Sequence, residues 1–407
     1  LVARVYSSLI QEYLYLYPCV FLSGPRQAGK SSLLSTLLAD YDRPHFLLDL
    51  ERDEDADKLR IPEKYFADKS NCLVIVDEIQ RMPSLYAEIE KVMEQPGKGI
   101  RFLIVGSGTG PMQALQARLG PKRAAHLEIS PFNCLETGEL TDQLTHWFSG
   151  GFIIPLQMQD PDLRPVWYAS YLRGLAERDL PLTGLKEHPE LVRKILPFIA
   201  ESTGEELNKA AITRQLGIRP EILNHVLQAL TGTGIIRTIE SFPGFSGKRV
   251  VRSPRYYLAD TGLLHYLLGI RSPEQMLVSS YAAASWANYV INQVAATSFP
   301  PIQLRYYQTH DGAGCDLLVL KGKRPLLCIS TQHGETQDIS RGFTTTIRDM
   351  GTRQNIIAVP GKRLDNPLRH NIRCCDVSTL CRRVEEQRMV YARKVYVPRK
   401  MKEEEGF

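Results

Sequence analysis

Up to residue 129, short apolar runs alternate with apolar positions at helical spacing. Val20 to Leu22, His45 to Leu50, Cys72 to Val76, Arg101 to Val105 and Ala124 to Ile129 are near-continuous runs bounded by polar or turn residues. Such runs predict strands buried on both faces. Between them, Leu33, Leu34, Leu37 and Leu38, then Leu85, Ile89, Val92 and Met93, then Met112 to Leu119, recur at the spacing of helices. Five strands alternating with helices predict a parallel sheet covered on both faces. Residues 1–18 predict an amphipathic helix beside it, with Leu9, Ile10, Tyr13, Leu14 and Leu16 turned inward. The acidic stretch Glu51 to Asp57 reads as a solvated loop or helix start.

Beyond residue 130 the pattern changes. Trp147 to Phe152 reads as a hinge, and Trp167 to Leu175 as a helix ending in Glu177-Arg178-Asp179-Leu180. Leu191 to Ser202, bent at Pro197, Asn208 to Leu216, stopped by Gly217, and Pro220 to Leu230 read as three helices. Ile235 to Glu240 and Arg249 to Val251 predict a hairpin around Pro243 to Gly247, so that the whole reads as a winged helix-turn-helix. Asp260 reads as a helix cap, Trp286 to Ala295 as a helix, and Leu304 to Tyr307, Cys315 to Leu320, Pro325 to Ile329 and Ile356 to Val359 as strands.

Bulk composition narrows little. The chain has 407 residues, 43% hydrophobic and 23% charged, with a net charge of +5. That permits acidic partners without arguing for them. The eight cysteines lack metal-ligand spacing, which points to reduced packing residues and away from zinc. No apolar run reaches a membrane span, and we read the protein as cytoplasmic.

The chemistry lies in the first strand–turn–helix. Gly24-Pro25-Arg26-Gln27-Ala28-Gly29-Lys30-Ser31 is G-x-x-x-x-G-K-[ST] in full, with a strand before and a helix after. Glycines allow a tight turn, and successive N–H groups at a helix N-terminus form an anion nest. The reading assigns Gly24, Pro25, Arg26, Gln27, Ala28, Gly29, Lys30, Ser31 and Ser32 to ATP, Lys30 to its β- and γ-phosphates, and Ser31 to Mg²⁺. Cys72 to Glu78 is a strand ending in two carboxylates, the Walker B form. Asp77 would bind Mg²⁺ and Glu78 polarise the attacking water. Gly106 to Gly110 ends the fourth strand, with Ser107 the candidate γ-phosphate sensor and Thr109 in reserve. Two arginines are open to two readings each. Arg123 either reaches a phosphate, in its own or a neighbouring subunit, or lies in a solvated basic turn. Arg178 either acts as an arginine finger or pairs with a carboxylate such as Asp179.

Ser23 to Ser31, Val76-Asp77-Glu78-Ile79-Gln80 with Pro83, and Gly106-Ser107 together resemble the bacterial and archaeal AAA-superfamily P-loop ATPases that carry an uncharacterised C-terminal region. The resemblance implies ATP as ligand and a sheet in the order 5-1-4-3-2. The chain departs from the family's Leu-Ala-Gly-Arg stretch, having Leu119-Gly120-Pro121-Lys122-Arg123 there. Arg252 to Leu263 matches a family motif joining the winged helix to the last domain. That domain resembles the PD-(D/E)xK restriction-endonuclease fold with most of its acids missing. Asp316 matches the pattern's aspartate, whereas Ala287, Cys328 and Ser330 stand where the other acids and the lysine belong. A lone carboxylate cannot assemble a hydrolytic metal site, so a structural or binding module is expected and not a nuclease.

The expected organisation is an AAA-type ATP-binding domain over 1–144, a helical linker over 145–187, a winged helix over 188–270, a degenerate nuclease-like α/β domain over 271–385 and a charged tail over 386–407. The expected function is a Mg²⁺-dependent ATPase whose nucleotide state repositions modules that bind DNA or a protein partner. The alternative is a nucleotide-sensing DNA- or partner-binding regulator with little turnover. Lys248, Arg249, Arg252 and Arg255 make the wing basic, which suits DNA phosphates, although winged helices also serve as protein-contact modules. Monomer and homo-oligomer both stay open.

Overall fold

A computed structural model describes residues 2–395, apart from positions 3, 40, 96, 98, 109, 186, 188, 245–246, 301, 335–337, 362–363 and 370, with side chains described as far as residue 387. Helix α1 (Ser7–Leu16) leads into β1 (Cys19–Ser23), which is followed by α2 (Lys30–Ala39) and β2 (His45–Asp49). Two short helices, α3 (Asp53–Lys58) and α4 (Pro62–Ala67), precede β3 (Leu73–Asp77). Then come α5 (Leu85–Glu94), β4 (Arg101–Gly106), α6 (Gly110–Leu119) and β5 (Ala124–Glu128). The five strands form one sheet in the order β2-β3-β4-β1-β5, all pairs parallel. This is the expected P-loop NTPase order, read from the other edge.

Every side chain of β1 and β3 is buried, as strands between two helical layers require. One face packs Phe21, Val76 and Phe102 against α5 and α6; the other packs Val20, Ile75 and Leu103 against α1 and α2. Helix α1 docks through Leu9, Ile10, Tyr13 and Leu14, whereas Leu16, expected inside, is exposed.

The segment after β5 packs with the C-terminal part of the chain. It holds α7 (Cys134–Thr137), α8 (Gln143–Ser149) and α9 (Ile153–Gln157). Trp147 and Phe148 lie in one core with Trp286, Tyr289 and Leu317, and the two indoles meet at 5.0 Å. The stretch 147–152, read as a hinge, is therefore a packed corner. A Cβ on Gly151 would come within 2.1 Å of the Phe132 carbonyl.

Helix α10 (Arg164–Gly174) runs into a π-helical turn, Leu175–Asp179, and a 3-10 turn, Pro181–Thr183. Helices α11 (Pro189–Glu201), α12 (Lys209–Leu216) and α13 (Pro220–Gly232) follow, then β6 (Ile236–Ile239) and β7 (Arg255–Leu258). The strand expected at Arg249 to Val251 is not the partner of β6. That partner is β7, with Ile239 opposite Arg255 and Ile236 opposite Leu258. The intervening loop instead lies against the C-terminal domain through Ser241–Tyr306 and Val250–Thr309 bridges. Phe245 and Ser246 of the expected turn lie outside the described residues.

The rest of the chain comprises α14 (Thr261–Leu267), α15 (Pro273–Val278), α16 (Ala282–Thr297), β8 (Ile302–Gln308), β9 (Gly314–Lys321), β10 (Arg324–Thr331), α17 (Arg341–Met350), β11 (Gln354–Ala358), β12 (Asp365–Arg369), β13 (Ile372–Cys375) and α18 (Val377–Val395). Its sheet is mixed, in the order β12-β13-β11-β10-β9-β8. The charged tail expected over 386–407 begins inside helix α18, which runs as far as Val395 and buries Val384 in the core; residues 396–407 lie outside the described residues. Charge on one helical face masked the packing of the other.

Two histidines sit in this junction. His146 accepts from the Tyr289 hydroxyl at 2.9 Å and donates to the Phe132 carbonyl at 3.0 Å. His265 donates to the Phe148 carbonyl at 2.8 Å and accepts from Ser285 at 2.6 Å, while Ser285 accepts from the Trp147 indole. Each ring thus has a donor and an acceptor engaged, the pattern of a neutral imidazole. Burial pushes both down from 6.5 to about 4. A folded pKa below the unfolded one means stability is full above about 6.5 and is lost as pH falls toward 4. Urea unfolding is expected to lose about 1.4 kcal/mol per pH unit per histidine in that window. His265→Gln is expected to make the pH dependence shallower by about one proton; an unchanged slope would remove His265 from this account.

Candidate active site

The β1–β4 register places Ser23 opposite Gly106, so the P-loop and the Ser107 turn leave the sheet side by side. Asp77 ends β3 on the other flank of β4. All three converge at the C-terminal edge of the parallel strands, the usual place for a ligand in an open α/β sheet.

Lys30 is buried at the start of α2, and its ammonium donates to the carbonyls of Gly24 and Pro25, both at 2.9 Å. Burial lowers its pKa, while Glu78, Asp77 and Asp179 raise it again. Ser31 donates to Asp77 Oδ2 at 3.4 Å, and Asp77 Oδ1 accepts from the Glu78 N–H at 3.0 Å. Asp77 and Glu78 are both held above the usual carboxylate range by burial, with Lys30 the largest opposing influence. Gln27 and Glu78 adopt left-handed backbone conformations, φ 61° and 54°. Non-glycine residues in that region carry strain of about 1–3 kcal/mol, which persists where surrounding contacts hold it and clusters at working sites.

A hydroxyl and a carboxylate this close are hard oxygen donors suited to Mg²⁺, whose remaining positions would be filled by phosphate and water. Among the described residues no group of three or more His, Cys, Asp or Glu is arranged for a metal. The pair Ser31 and Asp77 therefore fits a cation that arrives with its nucleotide.

Arg4 supports the loop from below. It donates to the Ala28 and Ser130 carbonyls, each at 2.7 Å, and pairs with buried Glu136 at 2.9 Å. From above, the second part of the chain touches the loop directly. Arg26 pairs with Asp179 at 3.1 Å and with Glu51 at 3.6 Å, and the Tyr171 hydroxyl donates to the Arg26 carbonyl at 3.4 Å. Gly234, at φ +73°, lies against Pro25: a Cβ there would sit 2.8 Å from Pro25 Cδ. Gly108 and Gly232 approach each other just as closely.

The two arginines part company. Arg123 precedes β5 at the end of the sheet away from the loop, because Cys19 lies opposite Ala124 and Ser23 opposite Glu128. It donates to the Met93 carbonyl at 2.8 Å. About five strand residues, or roughly 15 Å, separate it from the P-loop, so it does not reach a phosphate in its own chain. Arg178 stands on the π turn beside the loop, half-exposed, and pairs with Asp179 at 3.3 Å. Ser107 follows β4, and its N–H donates to Gln80 at 3.2 Å; Thr109 lies outside the described residues. Ser32 is exposed on the first turn of α2.

Sequence reasoning left Gln80 without a role, treated Asp179 only as a partner of Arg178, and passed over Arg4 and Tyr171. Gln80 offered a signal, a polar residue two positions after the Walker B acids. Arg4 offered none.

Helix α13 carries three exposed polar residues beside the ATPase core. Asn224, His225 and Gln228 of α13 line a cleft of about 720 Å³ shared with Gly108, Gly110 and Gln113 of the ATPase core. Asn224 accepts from Lys209, and His225 contacts Glu187. Of the basic residues expected to form a wing, Lys248 is paired with Asp349, and Arg255 donates to Gln308 and lies over the Tyr306 ring. Arg249 and Arg252 are exposed. In the C-terminal sheet, Asp316 accepts from both the N–H and the hydroxyl of Thr331, at 2.7 and 3.0 Å. No described helix is long and apolar enough to cross a membrane.

Residues 17–138 match the family model of an AAA domain, and residues 140–274 match a domain of unknown function (DUF8612). The chain is 30% identical over 354 residues to the uncharacterized protein Rv2008c of Mycobacterium tuberculosis, covering 87% of this chain and 79% of that one. The uncharacterized protein Mb2031c of Mycobacterium bovis matches equally. Among solved structures, a Walker-type ATPase of Pyrococcus abyssi is similar at TM-score 0.41 and 18% identity, over 66% of this chain and 96% of its own. The chain carries an AAA-type P-loop ATPase domain. It belongs to the family of the two mycobacterial proteins.

Proposed function

We propose that the protein is a Mg²⁺-dependent ATPase whose nucleotide state moves the region after the core. The observation that carries this reading is the convergence of Lys30, Ser31, Asp77 and Glu78 on one sheet edge, with Ser31 and Asp77 in contact. In the proposed reaction water attacks the γ-phosphate in line. Lys30 and the backbone of residues 27–31 neutralise phosphate charge, Glu78 orients the water, and Ser107 meets the γ-phosphate. Ser31 and Asp77 would hold Mg²⁺, which when bound neutralises charge on the β- and γ-phosphates.

Coupling to the rest of the chain rests on Asp179. Its carboxylate holds Arg26 of the P-loop itself. Phosphates entering the loop compete with Asp179 for Arg26 and repel it, so occupancy favours release of the π turn. ATP hydrolysis is tested as Mg²⁺-dependent phosphate release. In the same assay series, Asp179→Asn is expected to tighten ATP binding about 3- to 10-fold, the scale of a partly exposed ion pair and one removed negative charge. An unchanged affinity would separate Asp179 from nucleotide occupancy.

The helices α11–α13 with the β6–β7 hairpin are read as a winged-helix module that contacts a partner. The cleft that Asn224, His225 and Gln228 share with Gly108, Gly110 and Gln113 of the core supports protein contact over base reading in this arrangement. Exposed Arg249 and Arg252 keep backbone contact with DNA as the second reading. Binding of duplex DNA measured against salt, with and without ATP, decides between them: a flat response in both states removes DNA.

A further inference from the structure

Between Glu78 and the Ser107 turn lies one buried side chain. Gln80 is only 5% exposed, on the 3-10 turn Ile79–Arg81 that follows the Walker B strand. Its amide nitrogen donates to Glu78 Oε2, and its amide oxygen accepts from the Ser107 N–H at 3.2 Å. The partners leave no freedom in this orientation. A backbone N–H can only donate and a carboxylate can only accept, so oxygen must face Ser107 and nitrogen must face Glu78. The residue before Ser107 makes room for it: a Cβ on Gly106 would come within 2.2 Å of Gln80 Oε1. Glu78 is held in a left-handed backbone conformation, which persists where surrounding contacts such as this one hold it.

We propose that Gln80 is a positioning residue for hydrolysis, tying the Glu78 carboxylate to the turn that senses the γ-phosphate. This rests on the ATPase reading above. The amide is the only polar group bridging the two among the hydrogen bonds of the described residues. When the Ser107 turn engages a γ-phosphate, its N–H pulls on the amide oxygen, and the amide nitrogen carries that shift to the carboxylate. ADP, lacking the γ-phosphate, leaves the turn where it stands, so the carboxylate is set for attack only when there is a phosphate to attack. A side chain that merely filled space would need the volume of Gln80 but neither end of its amide.

Three proteins separate these roles: wild type, Gln80→Met and Gln80→Glu. Methionine keeps the length and apolar bulk and removes both hydrogen bonds. Glutamate keeps an acceptor for Ser107 and removes the donor to Glu78. Readouts are kcat and KM for ATP, and the affinities of fluorescent ATP and ADP analogues. For Gln80→Met we expect kcat to fall about 10- to 100-fold, the scale of a lost hydrogen bond to a charged group, with ATP affinity within about 2-fold and a narrower preference for ATP over ADP. For Gln80→Glu we expect a similar loss of kcat with the preference for ATP over ADP intact. Wild-type kcat in Gln80→Met would overturn the proposal and leave packing as the role. Loss of ATP affinity in step with kcat would also overturn it, in favour of general support of the site. If Gln80→Met does not fold, Gln80→Glu decides: wild-type kcat there, or a lost preference for ATP, overturns the assignment of the two amide ends. Absence of hydrolysis in wild type overturns the ATPase reading itself and is seen separately in that control.

Discussion

Lys30→Ala is expected to abolish ATP binding, weakening it by more than about 100-fold, or about 3 kcal/mol. The ammonium is buried and surrounded by Glu78, Asp77 and Asp179, which sustain its charge against burial. It staples the Gly24 and Pro25 carbonyls. Phosphates would offer the same donors stronger acceptors, and among the described residues no other cation of the core is buried at the loop in a position to replace it: Arg26 is held by Asp179 and Glu51, and Arg4 lies beneath the loop. Titration calorimetry with ATP and Mg²⁺ checks the effect, with thermal unfolding as the control for folding. Wild-type affinity in the variant would place the nucleotide elsewhere.

Glu78→Gln is expected to bind ATP with nearly wild-type affinity and to lose turnover by about 10²- to 10⁴-fold, the range for removing a general base. The amide keeps the volume and the place beside Gln80 but cannot take a proton from water. Burial raises the Glu78 pKa, with Lys30 the largest opposing influence. A desolvated carboxylate is a stronger base than one in water. Single-turnover phosphate release, with binding measured in parallel, separates the chemical step from affinity. Hydrolysis at the wild-type rate would remove Glu78 as the base and return attention to Asp77 or Ser107.

Together the two variants divide the site into a part that binds and a part that turns over. The contacts of Asp179, Tyr171 and Gly234 add a third element that neither variant touches directly. They lie in the region matched to a domain of unknown function, immediately above the loop. The P-loop thus lies between its own core and the following region, the contact on which the proposed coupling rests.

How much of this was legible in the chain follows from the range of the interactions involved. The five strands of the core, their helices and the nucleotide loop were readable because each depends on local pattern. Continuous apolar runs predict doubly covered strands, and the G-x-x-x-x-G-K-[ST] spacing is a backbone requirement of the anion nest itself. The two acids after β3 were readable for the same reason. The C-terminal strands β8 to β11 were recognisable as runs, but α17, β12, β13 and the helical course of α18 were not, since their polar faces dilute the apolar signal. The partner of β6 was misplaced because a long loop separates the paired strands and pairing is decided by what the loop packs on.

The sequence by itself determined that the protein has a nucleotide-binding core and which residues carry its Walker motifs, because those features are local in the chain. Only the tertiary structure decided what surrounds them. It separated Arg123 from the loop by the length of a strand, set Asn224, His225 and Gln228 along a cleft shared with the core, and brought Asp179 onto Arg26. It also joined Glu78 to Ser107 through Gln80. Arg26 and Asp179 are 153 residues apart, and no periodicity in a chain encodes which distant side chains will meet. That is set by how the sheet, the π turn and the helices close on one another.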